Sequence, residues 1–425
     1  MIQFWNTHPA PPLDLFMEHK SSSQKETLLA AGRNLLSFLA AQHYPAILIM
    51  ILVVAAIRLP VDYLRIMTPT DNDFSLHIYF ALDLLGGRPV PAYTLAHSLW
   101  QMLLIGVWWL SRSRIGFYES AVGFQVLSSV ASTLVLYFWY GALPGRPSPW
   151  LRAFFAVSLV VAAPVILPAL MDGSYYFGYI GLANYHNPTV HMLRPFALLL
   201  FILAVEALAR PRHSGWVCAL SAVLMVLATF LKPSYTIVLL PALGLLALFW
   251  LYRRRPADWR LLILGIGLPA VLVLAVQYWY TYASGEAGSA IVWMPLAAAG
   301  SMSGFLAQKF TLSILFPLTG ALLSFRSIRR DPSMVLAWLS FAAGAAQYYL
   351  LAESGPRLQH GNFLWGAQIS LFVLFAASIR FLLAQNVKWK DWARPASLAQ
   401  AAVYLLHLGA GIAYYLYCLN SPHYS

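Results

Sequence analysis

Acidic residues are scarce in this chain: 15 Asp and Glu stand against 27 Lys and Arg in 425 residues, and charged residues of both signs make up only 10%. So few charges cannot clothe a water-soluble protein of this length. Cysteine is scarcer still. The two that occur, Cys218 and Cys418, lie far apart in apolar segments, which argues against a zinc site and a disulfide framework. There is no convincing internal repeat, no small-residue cleavage site ahead of the first long apolar run, and no polar stretch long enough for a soluble domain. The short alternating segments of a membrane β-barrel are missing as well.

Apolar sequence fills the space. Hydrophobic residues reach 60% and the mean hydropathy is +0.67, and the apolar runs are roughly 18 to 24 residues long, enough for a helix to cross a ~30 Å hydrocarbon core. The expected fold is an all-α polytopic transmembrane bundle of about 11–13 helices. Candidate spans fall near 44–66, 92–110, 117–140, 152–170, 192–209, 214–231, 235–252, 261–283, 308–325, 334–352, 362–383 and 397–417. Residues 1–43 read as a cytoplasmic tail ahead of an uncleaved first helix. Within it, residues 28–41 have helical apolar spacing, which suits either an interfacial helix or a solvated tail. Residues 44–425 form the transmembrane domain.

The net charge of +12 does not point to nucleic acid, because the basic residues sit in short clusters between apolar runs, where they orient the chain. Arg210/Arg212, Arg253 to Arg255 with Arg260, Arg326/Arg329/Arg330 and Lys388/Lys390/Arg394 recur at alternate loops, which should be cytoplasmic. The C-terminus then lies outside. Counting forward from a cytoplasmic tail disagrees with this by one crossing, so either a short or broken helix hides between 111 and 191 or one span there does not cross. The four basic clusters agree with each other, which favours an odd total.

On this topology the polar residues that anchoring does not explain gather on the outer face of a plasma (inner) membrane. The first outer loop carries Asp71 and Asp73, with His77 four residues on. Carboxylates beside a bilayer are costly and seldom kept without a task. They can serve as a general base or simply cap the helix that starts near Phe74. His77, one turn after Asp73, can fix the carboxylate or pack at the interface. The middle loop brings Asp172, Asn184, His186, Asn187, His191 and Arg194: a polar binding pocket, or a polar turn with an Arg reaching the headgroups. His186 and His191, five apart, do not share a helix face, so paired metal ligation is weak. Lys232, in a break between two spans with almost no loop, needs an acid, an anionic ligand or the headgroups, and Tyr235 is placed to line the same site. The late loop offers Glu353, Arg357, His360 and Asn362, a binding loop or a plain Glu353 to Arg357 ion pair. Trp293, Trp365 and the Tyr residues at span ends read as interfacial belts.

The run from Asp73 through His77 and Ala81 to Gly86-Gly87, entering the next span past Pro89 and Pro91, resembles the first outer loop of GT-C membrane glycosyltransferases, the group of protein O-mannosyltransferases and lipid A aminoarabinose transferases. Those enzymes carry an acid just past helix one, a ring residue four positions on and a small residue eight positions on. Phe74 stands where many relatives have a second acid, and His77 where Tyr is more common. The likeness extends more weakly over 44–210 as a pattern of spans, with 211–425 as the C-terminal helices. It implies transfer of a sugar from a polyprenyl-phosphate donor to a lipid or glycan acceptor, with Asp73 or Asp71 as base and Lys232, Arg194 and Arg357 receiving the lipid phosphate. No cofactor is required, although Asp71 and Asp73 are spaced to take a divalent cation in an incomplete shell. A lipid-linked oligosaccharide polymerase or ligase and a transporter or flippase are the competing classes.

Overall fold

The computed structural model describes residues 42–68, 72–182, 185–283, 290–386 and 389–421. The expected N-terminal tail and interfacial helix therefore lie outside the described residues, apart from residues 42 and 43. By its internal contacts the chain divides into residues 1–49 and 50–425. Residues 50–425 hold the bundle, and the helix that begins at Tyr44 runs into them.

The elements in order are α1 (Tyr44–Met67), α2 (Asp73–Leu85), α3 (Ala92–Ala96), α4 (Leu99–Leu110), α5 (Phe117–Gly141), α6 (Pro149–Val161), α7 (Pro188–Ala209), α8 (Gly215–Leu231), α9 (Thr236–Tyr252), α10 (Leu268–Tyr278, with π-helical turns Leu261–Gly267 and Trp279–Ala283 at its ends), β1 (Ile291–Trp293), α11 (Ala297–Met302), α12 (Leu306–Ile328), α13 (Pro332–Leu350), β2 (Leu351–Glu353), α14 (Leu364–Gln385) and α15 (Pro395–Asn420). Among the described residues, seven helices are long and apolar enough to cross a membrane. The protein is an all-α polytopic membrane bundle. Helix α14 runs through its middle, with 89% of its apolar window buried, whereas α1 and α15, at 28% each, turn most of their surface outward. The two strands form one short antiparallel pair in which Ile291 faces Glu353.

Two of the expected spans are not simple helices. The stretch near 92–110 breaks at His97 and Ser98, and its second half, α4, has twelve residues, about 18 Å at 1.5 Å per residue, which is too short to cross. Helix α4 starts where Gln101 meets His77, 2.8 Å apart, and ends where Trp108 packs on Phe117 at the start of α5. From there α5 descends past Pro188, whose carbonyl takes a hydrogen bond from Gln125, to Tyr140, which donates to the Ala376 carbonyl far along α14. So 92–110 enters the bundle and leaves by the same end. Leaving 92–110 out of the candidate spans makes the two ways of counting agree, at an odd total.

The span near 152–170 is helical only to Val161 and continues as an extended strip. Irregular backbone at membrane depth survives only if its polar groups find partners inside the protein. Here Ala163 N–H donates to the His407 carbonyl (3.1 Å), Val165 N–H to the Leu312 carbonyl (3.2 Å), and Leu167 N–H to the Tyr179 hydroxyl (3.0 Å). The His407 ring lies 2.7 Å from the Ala163 carbonyl through Nδ1 and accepts from Phe316 N–H through Nε2, stitching α12, α15 and the strip together. Close approach depends on Gly411, where a Cβ would overlap the Val161 carbonyl oxygen. Gly411→Val is therefore expected to lower the melting temperature in detergent, at a cost on the order of 1–3 kcal/mol for overpacking. Gly409→Val, at a position with open space, should leave it unchanged. Equal melting of the two variants would count against this packing.

Candidate active site

Four separate stretches of sequence meet at one end of the bundle around a cavity of about 510 Å³, within the ~300–1,000 Å³ of ordinary ligand pockets. The first contributes Asp73 and His77. Helix α2 is capped by Asn72, whose Oδ1 accepts from Ser75 N–H (3.0 Å) and whose Nδ2 donates to the Arg65 carbonyl (3.1 Å). Because Asn72 fills the cap, Asp73 is released from that duty. Its carboxylate lines the cavity, and Oδ2 accepts a 2.5 Å hydrogen bond from Asn187 Nδ2. His77 lines the same wall. Burial, with Lys232 and His97 close by, holds its imidazole well below the ordinary value near 6.5, so it is neutral and accepts from Gln101 at Nδ1.

The middle loop contributes Asn187. Its Oδ1 caps α7 by accepting from Val190 N–H (3.0 Å) and also accepts from the Thr189 hydroxyl (2.9 Å). Thr189 in turn accepts from Lys232 Nζ at 3.2 Å. An unbroken chain of hydrogen bonds thus runs from the Lys232 ammonium through Thr189 and Asn187 to the Asp73 carboxylate. Lys232, at the break between α8 and α9, is 8% exposed and sits 5.2 Å from the centre of the Trp365 ring. Among the described residues no carboxylate reaches it within 4 Å. A buried charge with no carboxylate in direct contact is expensive, and the opposite charge acting on Lys232 is that of Asp73 at the far end of the chain.

The late loop supplies Glu353, Arg357, His360 and Asn362, all on the cavity wall. Glu353, at the end of β2, is saturated: it accepts from Tyr282 (2.6 Å) and from Asn362 Nδ2, and pairs with Arg357 Nη2 at 3.0 Å. Its role is to hold Arg357. The guanidinium lies 5.0 Å from the Tyr93 ring centre and 5.8 Å from that of Tyr282, and its Nε and Nη1 are buried without a hydrogen-bond partner. One side of the cavity is apolar, formed by Leu76, Phe80, Ile237, Leu274 and Tyr278, of which Leu76 and Tyr278 are exposed on the bundle's outer surface.

Several expected site residues point elsewhere. Asp71 and Asn184 lie outside the described residues. His186 sits behind the cavity wall, against Tyr176 and Trp365, where burial brings it down to about 4 although Asp73 opposes the shift. His191 is inside the bundle and bonds to Ser129 at 2.7 Å. Arg194 donates to the Leu182 carbonyl and stacks on Phe372, away from the cavity wall. Asp172 pairs with Lys309 (2.6 Å), not with Arg194. Tyr235 is fully buried away from the cavity. For His186, His191, Arg194 and Tyr235 the sequence showed polarity at the right depth, and packing sent the side chain to the wrong side for the cavity. Conversely, Trp365 is no belt residue: it is 8% exposed and lines the cavity, whereas Trp293 is 67% exposed. Tyr93, His97, Thr189 and Tyr282 do not stand out in the sequence, since Tyr and His at span ends look like anchors. His97, beside the break that makes 92–110 re-enter, carries the best signal, a lone ring nitrogen in an apolar run. Among the described residues no group of three or more His, Cys, Asp or Glu gathers as a metal centre would need. Neither a family model nor a curated protein matches the chain.

Proposed function

We propose that the protein is a membrane glycosyltransferase that moves a sugar from a polyprenyl-phosphate donor to a hydroxyl on a lipid or glycan acceptor, at the outer face of the plasma membrane. The observation that carries this reading is one cavity lined by a carboxylate, Asp73, and two cations, Lys232, which no carboxylate contacts directly, and Arg357, two of whose nitrogens lack an acceptor, beside an apolar wall open to the lipid phase. The acceptor hydroxyl gives its proton to Asp73 as its oxygen bonds to the anomeric carbon. The bond from that carbon to the phosphate oxygen breaks, and the lipid phosphate departs with one more negative charge. Lys232 and the free nitrogens of Arg357 meet that charge by charge-assisted hydrogen bonds, so the reading gives them the role a divalent cation would otherwise fill. The prenyl chain lies along Leu76, Phe80 and Tyr278. The likeness of Asp73, His77 and Ala81 to the first loop of GT-C enzymes agrees with this assignment, and the basic clusters between the later apolar runs support an outward-facing site.

The hydrogen-bond chain adds a requirement. Thr189 ties Lys232 to the residue that orients Asp73, so Thr189→Val is expected to lower kcat by about tenfold, the worth of one charge-assisted hydrogen bond, with little change in donor KM. Thr189→Ser should restore it. A Ser variant as slow as the Val variant would show that the methyl packing matters and the hydroxyl does not. The whole reading is tested by incubating the purified protein in liposomes with a panel of polyprenyl-phosphate sugars and a pool of lipid and glycan acceptors. Release of free polyprenyl phosphate with one donor is expected, and silence with every donor would overturn the reading.

A further inference from the structure

At the opposite end of the bundle a second hollow, an open groove of about 1000 Å³, runs between the end of α12, the start of α13 and the loop from α14 to α15. Helix α12 kinks beside it at Ser324, where φ is −131° and ψ is 27°. The groove has two unlike walls. Leu322, Leu323 and Phe325 are 73%, 50% and 62% exposed along one side, and Arg326, Arg330 and Arg394 stand around the other. The acids nearby are already committed. Asp331 caps α13 by accepting from Ser333 and Met334 N–H, and Asp391 pairs with Arg394 at 2.7 Å. Among the described residues Arg326 and Arg330 have no carboxylate within 4 Å. Two guanidinium groups without a carboxylate partner therefore border an exposed apolar strip at the ends of three long helices.

The geometry points to a binding site for an acidic glycerophospholipid, its phosphodiester between Arg326 and Arg330 and its acyl chains along Leu322, Leu323 and Phe325. Guanidinium forks match phosphate oxygens two at a time, and the exposed apolar residues suit a chain that a soluble phosphate lacks. A zwitterionic lipid would bring its ammonium against the same arginines and bind less well. The site is independent of the chemistry around Asp73.

Native mass spectrometry of the full-length, delipidated protein tests this, with phosphatidylglycerol, phosphatidylcholine of the same chains and glycerol phosphate as separate probes. Phosphatidylglycerol should bind about tenfold or more tightly than phosphatidylcholine, glycerol phosphate should fail to displace it, and the double variant R326Q/R330Q should lose the preference. Equal binding of the two lipids, an unchanged preference in the double variant, or displacement by glycerol phosphate would each overturn the proposal. Both arginines are exposed, so the variant should melt like the wild type. If it does not, a photoactivatable phosphatidylglycerol on the wild-type protein decides the matter: labelling within residues 322–332 supports the site, and labelling only elsewhere overturns it.

Discussion

Replacing Asp73 with asparagine is expected to lower turnover by about 10²- to 10⁴-fold, the range that a positioned general base contributes, while the donor's dissociation constant stays within about twofold of wild type. The amide keeps the volume and can still accept from Asn187, so the wall of the cavity stays in place and only the proton acceptor is lost. The variant also separates chemistry from folding, because the helix is capped by its neighbour. Asn72→Ala removes that cap and should cost roughly 0.5–2 kcal/mol of stability without removing the base. If Asp73→Asn instead melts early and retains turnover per folded molecule, Asp73 is a structural residue.

The second large effect is expected at Lys232. Lys232→Met should cut turnover by about 10²- to 10³-fold, as for loss of one preorganised group facing developing charge, and should also weaken donor binding. Stability should move the other way. An ammonium buried with no carboxylate in direct contact destabilises the empty protein, so the Met variant should melt at or above the wild-type temperature in the absence of donor. Thermal unfolding with and without polyprenyl phosphate reads both effects at once: the lipid should raise the wild-type melting temperature and leave that of the variant nearly unmoved. A variant that is less stable when empty would mean that Lys232 serves the fold through Thr189 and Trp365, and its place opposite Asp73 would then carry no chemistry.

Much of the bundle could be read from the apolar runs, because twenty apolar residues in a row have few other fates. Their direction could not. The strip 92–110 is as apolar as its neighbours, and only the pairing of Gln101 with His77 and of Trp108 with Phe117 reveals that it returns to the end it came from. Likewise Ala162 to Leu167 is apolar enough to prolong α6, yet the strip is extended, held by His407, Leu312 and Tyr179 from distant parts of the chain. Scarce charges made Asp73, Lys232, Glu353 and Arg357 visible, since a chain so poor in acids has little reason to keep one beside lipid. The same signal marked Arg194 and His191, whose side chains turn into the bundle against Leu182 and Ser129. Polarity reports depth, and rotation about the helix axis decides which cavity a residue meets. Thr189 gave no signal at all, being an ordinary hydroxyl whose importance lies in the two residues it joins.

The most direct measurement is an experimental structure of the protein with a non-transferable polyprenyl-phosphate sugar analogue. The phosphate is expected between Lys232 Nζ and the free nitrogens of Arg357, the prenyl chain along Leu76 and Phe80, and the anomeric carbon on the Asp73 side, so that an acceptor oxygen about 3–3.5 Å from that carbon would lie within hydrogen-bond reach of the carboxylate. A phosphate seated away from both cations, or a sugar turned away from Asp73, would contradict the account.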